Sequence, residues 1–132
     1  MSTATLTSAV ADAIADVRRA FPGAQLVESP DGTGGAFVIV EPVELGEAFA
    51  PQSTWLGFYL SPMLPDADVY PLYVGGDVTG ADRSPLANPA IQATTWRDRA
   101  ALQLSRRSNG RDAAVSTPAL KASNVVAWLR AL

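Results

Sequence analysis

The chain has 132 residues, 48% of them hydrophobic and 17% charged, with a net charge of −3. That is the length of one domain, with apolar material for one core and too little charge for a disordered chain. Cysteine and histidine are both absent, which excludes disulfides, thiol nucleophiles, Cys/His zinc sites, imidazole acid–base catalysis and any serine-hydrolase triad.

The first element is an amphipathic helix over 5–21. Leu6, Val10, Ala13, Ile14, Val17 and Phe21 recur at three- and four-residue steps and share a face. Thr3 or Thr5 can cap its start, Arg18 and Arg19 suit the negative end of the helix dipole, and Pro22-Gly23 stops it. A strand over 25–29 and a stronger one over 36–41, rich in Val38, Ile39 and Val40, flank the turn residues of 30–35 and predict a hairpin. Pro42 argues against clean continuation as a central strand, and 43–50 is a connector of undefined form. The third strand spans 52–60, where Gly57 points to a bulge or a close backbone approach.

Residues 61–92 hold Pro62, Pro65, Pro71, Pro85 and Pro89, with Gly75, Gly76 and Gly80. They read as a long loop with a short edge strand over 69–74, broken by Pro71. For 94–107 two readings compete. As one strand it carries Trp96, Ala100, Leu102 and Leu104 on one face and Arg97, Arg99, Gln103, Ser105 and Arg107 on the other. As a helix it draws on the propensities of Ala100 to Gln103. The alternation favours the strand. Ser108-Asn109-Gly110 is a turn, and Thr117-Pro118 opens a final helix whose apolar side holds Ala122, Val125, Val126, Trp128 and Leu129. The expected fold is therefore a single α+β domain over 1–132: an N-terminal helix, an antiparallel meander of about four strands, a long Pro/Gly-rich loop and a C-terminal helix.

The charges are divided along the chain. Residues 1–82 carry 11 Asp/Glu and 2 Arg, and residues 83–132 carry 2 Asp and 8 Lys/Arg. Interleaving of the two halves within one domain would neutralise most of this, and pairing between subunits of a homodimer would use it. Arg97, Arg99, Arg106, Arg107 and Arg111 fall within 15 residues and are the leading candidates for a partner surface, because the guanidinium fork grips carboxylates or phosphates. Their competing role is a solvated strand face. Nucleic acid is a poor fit: the chain is acidic overall and no aromatic residue interleaves with Arg106, Arg107 and Arg111. Asp66, Asp68, Asp77 and Asp82 lie in the long loop, but their spacing matches no calcium loop and pairs no two carboxylates for hydrolysis. The Gly-rich runs at 32–35 and 74–77 lack the Walker and dinucleotide-binding patterns and read as turns. Trp55, Trp96 and Trp128 are expected to meet in the core or at its rim, with an aromatic binding cleft as the competing reading. No apolar run approaches the ~18 residues of a membrane helix, and the N-terminus lacks the basic and apolar regions of a secretory signal. The expected location is the cytoplasm, with no membrane contact, no metal, no cofactor and no enzymatic activity.

Tyr59-Leu60-Ser61-Pro62 and Val69-Tyr70-Pro71-Leu72-Tyr73-Val74, set after a helix and a meander, resemble the ubiquitin-conjugating (E2-like, UBC/RWD) fold, whose members carry a Tyr-Pro loop behind the strands. The stretch Leu104-Ser105-Arg106-Arg107-Ser108-Asn109 and the final Val126-Ala127-Trp128-Leu129 are similar to the tail of bacterial E2-like families, which sit beside ubiquitin-like modifiers and E1-like activating enzymes. The resemblance spans most of the chain in element order. The second proline expected soon after Tyr70-Pro71 is missing, and so is the His-Pro-Asn motif, of which Asn88-Pro89 is the nearest remnant. With no cysteine to carry a thioester, the resemblance implies a non-catalytic E2-like protein-interaction module in a bacterial ubiquitin-like system. Its partner would be the modifier or the E1-like enzyme, with Tyr70-Pro71 as a loop anchor or contact. Two other readings compete: a structural or assembly protein of a larger bacterial or phage complex, and a metal-dependent enzyme built on the loop aspartates.

Overall fold

The computed structural model describes residues 6–64, 66–106 and 117–132. Helix α1 spans Ser8–Ala20, with Thr7 as its cap, accepting from the Val10 N–H at 3.2 Å. The start thus lies three residues later than the sequence pattern suggests, where a hydroxyl meets an orphan N–H. Strands follow at Gln25–Pro30 (β1), Ala36–Glu44 (β2), Phe49–Ala50 (β3), Ser53–Leu60 (β4), Leu72–Gly75 (β5), Thr79–Gly80 (β6), Ile91–Trp96 (β7) and Arg99–Leu104 (β8), and helix α2 spans Pro118–Arg130. Thr117 caps α2 and Pro118 opens it, as read from the sequence.

Six strands form one antiparallel sheet in the order β1-β2-β4-β5-β8-β7, and β3 and β6 form a separate two-stranded ribbon. An α+β fold with a helix at each end is as expected, but the sheet is larger than a four-strand meander. Three local expectations are corrected. Pro42 does not end β2: the strand absorbs it in a register shift between Val40 and Val43 and runs on to Glu44. The strand near Pro71 is no edge, since it begins after the proline at Leu72 and lies between β4 and β8. Residues 94–107 do not form one strand. A two-residue turn at Arg97 and Asp98, with φ of 50° and 67°, folds Ile91–Trp96 back on Arg99–Leu104.

The period-two alternation assigns the two faces. Val38, Val40, Leu56, Phe58, Leu60, Leu72, Val74 and Leu104 are buried on one face against Val10, Ile14 and Val17 of α1 and Val125, Val126 and Leu129 of α2. The long stretch after β4 is no structureless loop, because it also sends Leu64, Val69 and Val78 into this core. Asp68 is anchored to α2 by the Lys121 Nζ, which donates at 3.1 Å and 3.3 Å to its two oxygens. Among the described residues no helix is long and apolar enough to cross a membrane.

Phe58 is fully buried at the centre of the core face, and Val27 is 59% exposed on the other face. Replacing Phe58 with Ala is expected to cost about 3–5 kcal/mol of stability, and Val27→Ala within about 0.5 kcal/mol, both read by urea unfolding.

Candidate functional site

Among the described residues both helices lie on one side of the sheet, and its other face is left to side chains alone. One register row across that face reads Val27, Ile39, Gly57, Tyr73, Gln103 and Gln92, from β1 to β7. Gly57 supplies no side chain in the middle of the row, and the gap is filled from outside it. The β7–β8 hairpin curls over the sheet and lays the Trp96 ring on Gly57. A Cβ built there would sit 2.3 Å from the Trp96 Cζ3. This is the close backbone approach anticipated at Gly57.

Around Trp96 the aromatic residues of three other strands gather. Its ring stacks on Tyr73 with centroids 4.9 Å apart and on Trp55 at 5.9 Å, each with an interplanar angle of 15°. Phe37 meets its edge at 6.4 Å and packs against Tyr59 at 4.9 Å. Contacts of this kind are worth roughly 0.5–1.5 kcal/mol each beyond the area they bury. All five rings are half-buried, so one side of the cluster faces solvent. Desolvation there raises the Tyr73 hydroxyl above its ordinary pKa.

Two of the candidate arginines complete this surface. The Arg97 guanidinium lies over the Phe37 ring at 4.0 Å, and that of Arg99 over Trp55 at 4.9 Å. Among the described residues neither forms an ion pair with a carboxylate. Arg106 is elsewhere, over the Trp128 ring of α2 at 4.8 Å, on the helical side. The arginines do not make one patch, because Arg99 at the start of β8 lies on the open face while Arg106, beyond the end of β8, points toward the helices. Arg107, Arg111 and the turn at 108–110 lie outside the described residues. Tyr70 and Pro71 lie in the segment entering β5, half-buried. The three tryptophans do not meet: Trp55 and Trp96 share the open face and Trp128 is on α2.

The edge of the aromatic cluster is fixed by Asp31. One carboxylate oxygen accepts from the Thr33 N–H at 2.7 Å, the Thr33 hydroxyl at 2.8 Å and the Gly35 N–H at 3.1 Å, and the other accepts from the Tyr59 hydroxyl. These donors, Tyr59 first, lower the Asp31 pKa from 3.8 to about 2. The same bond raises the Tyr59 hydroxyl. Gly35 is required beside it, since a Cβ there would lie 2.6 Å from the Leu60 carbonyl oxygen and 2.7 Å from the Tyr59 hydroxyl.

Two of the loop aspartates have structural partners. Asp68 pairs with Lys121, and Asp82 accepts from the Ser84 N–H at 3.0 Å and from its hydroxyl, which lowers its pKa. Among the described residues no three His, Cys, Asp or Glu side chains gather closely enough to hold a metal ion. Phe37, Tyr59 and Tyr73 are not legible as a surface from the sequence, and Trp55 enters there only in the cleft reading with Trp96 and Trp128. Their signal is the alternation Trp55-x-Gly57-x-Tyr59 against Leu56, Phe58 and Leu60, which marks two faces without saying which one a helix covers.

Two outcomes follow from this geometry. Gly57→Ala is expected to displace the Trp96 ring, costing about 1–3 kcal/mol and shifting tryptophan emission to the red as Trp55 and Trp96 unstack. The depressed Asp31 pKa favours the folded state wherever the carboxylate is ionised in both states, above about pH 4–5. That contribution declines as pH falls from 3.8 toward 2. Tyr59→Phe removes the main donor, so urea unfolding should show the unsubstituted chain more stable than the variant at pH 6 and the difference shrinking toward pH 2.

No protein-family model matches the chain, and neither a curated protein nor a solved structure matches it.

Proposed function

We propose that the chain is a non-catalytic, E2-like protein-interaction module that presents the open face of its sheet to a ubiquitin-like modifier or an E1-like activating enzyme. The observation that carries the reading is the aromatic surface itself. Trp96, Tyr73, Trp55, Phe37 and Tyr59 are clustered and half-exposed, with the Arg97 and Arg99 guanidinium groups over two of the rings. Tyr, Trp and Arg are the residue types enriched where protein interfaces concentrate their binding energy. Rigid rings held by mutual stacking lose little entropy on binding, and two cations that form no ion pair among the described residues favour a partner whose matching surface is acidic around an apolar centre.

The E2-like part of the reading draws on element order. A helix precedes the antiparallel run β1, β2, β4, β5, the Tyr70-Pro71 pair lies between the last two of these, and a helix closes the chain. The β7–β8 hairpin is an addition beside β5, and it is this addition that delivers Trp96, Arg97 and Arg99 to the face. A chain with no cysteine cannot accept a modifier as a thioester, so recognition is the role left to this surface.

Titration of a ubiquitin-like protein and of an E1-like enzyme from the same organism, followed by tryptophan emission and calorimetry, tests the proposal. At least one should bind, and Arg97→Glu with Arg99→Glu should weaken that binding by about tenfold or more, while Arg106→Glu on the other side leaves it unchanged. Absence of binding by both proteins at ~100 μM, an affinity well below that of specific complexes, would overturn it.

A further inference from the structure

We infer that β7 is a self-association strand, through which two copies of this chain join their sheets edge to edge about a two-fold axis. The inference is independent of the partner reading above, since it uses the sheet's rim and not its aromatic face.

Among the described residues β7 is the last strand of the sheet and pairs with β8 alone. Its residues 92–95 are exposed. Trp96 and Arg99 flank a two-residue turn, so they are the pair that exchanges both backbone bonds, and the alternation continues to Thr94 with Ala101 and Gln92 with Gln103. The N–H and C=O groups of Ala93 and Thr95 therefore point away from β8, and among the described residues none of them bonds elsewhere.

The two rims of the sheet are treated differently. Protein sheets guard their edges with charges, prolines or bulges that hinder pairing with another strand. β1, the opposite rim, carries Glu28, paired with Arg18, and ends in Pro30. β7 reads Ile-Gln-Ala-Thr-Thr-Trp, and between Arg83 and Arg97 the chain has no charged residue at all. It is a row of β-branched, aromatic and small residues with two outward-facing peptide pairs and nothing to repel a neighbour.

A second copy fits this rim on charge grounds. Antiparallel pairing of a strand with itself sets each side chain against one from the same strand, which is unfavourable for a charged strand and costs nothing electrostatically here. Centred on Thr94, the arrangement places Thr94 against Thr94 of the second copy and lets Ala93 exchange backbone bonds with Thr95 of the second copy. Uncharged surface extends beyond the strand. Pro85, Leu86 and Ala87 with the exposed Leu132 line a hollow of about 280 Å³, and this segment leads into β7, where the Ile91 N–H donates to the Asn88 carbonyl at 2.9 Å. Because the two-fold axis is perpendicular to the sheet, both aromatic faces lie on the same side of the joined sheet and both stay open.

The test uses the full chain. Sedimentation equilibrium from about 1 to 500 μM, a range bracketing ordinary dimer affinities, should give a species of twice 13.8 kDa. Thr94→Lys, which sets like charges directly opposite each other, and Thr95→Pro, which removes an outward N–H and no bond to β8, should both sediment as monomers with unchanged circular dichroism. The chain has no cysteine, so Thr94→Cys introduces a single thiol. Facing strands at this register bring two such Cα atoms to about 4.5 Å, within disulfide reach, and mild oxidation should cross-link Thr94→Cys but not Gln92→Cys. A chain that is monomeric throughout the range, a dimer that survives both Thr94→Lys and Thr95→Pro, or equal cross-linking at positions 92 and 94 would overturn the inference.

Discussion

The contact of the Trp96 ring with the bare backbone of Gly57 organises the open side of this molecule. Trp96 belongs to the last strand of the sheet and Gly57 to the third in spatial order, with β5 and β8 between them. A side chain at 57 would hold the hairpin off, and Tyr73, Trp55 and Phe37 would then lack the ring they pack around. The helical face is stabilised by ordinary burial of aliphatic side chains. Among the described residues the open face has no covering layer, so its order comes from rings stacking on rings and from two guanidinium groups lying over Phe37 and Trp55. That makes it rigid and half-exposed together, the combination that favours binding over mere burial.

The same contact explains how the hairpin tolerates its turn. Arg97 and Asp98 both have left-handed backbone conformations, which Gly and Asn adopt with least strain. For Arg this costs roughly 1–2 kcal/mol. The position of the Arg97 guanidinium over Phe37 and the burial of Trp96 next to it offset that cost. A hairpin with Asn-Gly at the turn would close more easily, and it would bring no cation to the face. The turn residues thus trade local conformational ease for the surface they build.

What could be read from the residues, and what could not, divides along the range of the interactions involved. The helix at 8–20, the β1–β2 hairpin, the strand ending at Leu60 and the Thr117-Pro118 start of α2 rest on local periodicity and capping, and each is visible within a dozen residues. The β7–β8 hairpin is hidden because Arg97-Asp98 is no usual turn signal, so an alternating pattern ran straight through it and assigned Trp96 to the face of Leu102 and Leu104. Its true neighbours are Arg99 and Gly57. The interior position of β5 is equally hidden, because Pro71 points to an edge until one sees that the strand starts one residue later. The arginine cluster is legible as residues and illegible as a surface, since Arg99 lies over Trp55 on the open face and Arg106 over Trp128 of α2.

The absence of thiol and imidazole limits what any surface of this chain can do chemically, and the geometry limits it further. Three carboxylates have structural duties: Asp31 holds Tyr59 and the hairpin loop, Asp68 holds α2, and Asp82 holds its own turn. Their lowered pKa values at Asp31 and Asp82 run in the wrong direction for a general acid or base near neutrality, where a carboxyl must be raised to be useful. Among the described residues, Arg97, Arg99, the rings beneath them and the peptide groups of Ala93 and Thr95 carry no such duty. These groups donate, accept and stack without giving up or taking a proton. The open face and the rim thus belong to one sheet but rest on different groups of it, side chains across the face and peptide groups along the edge.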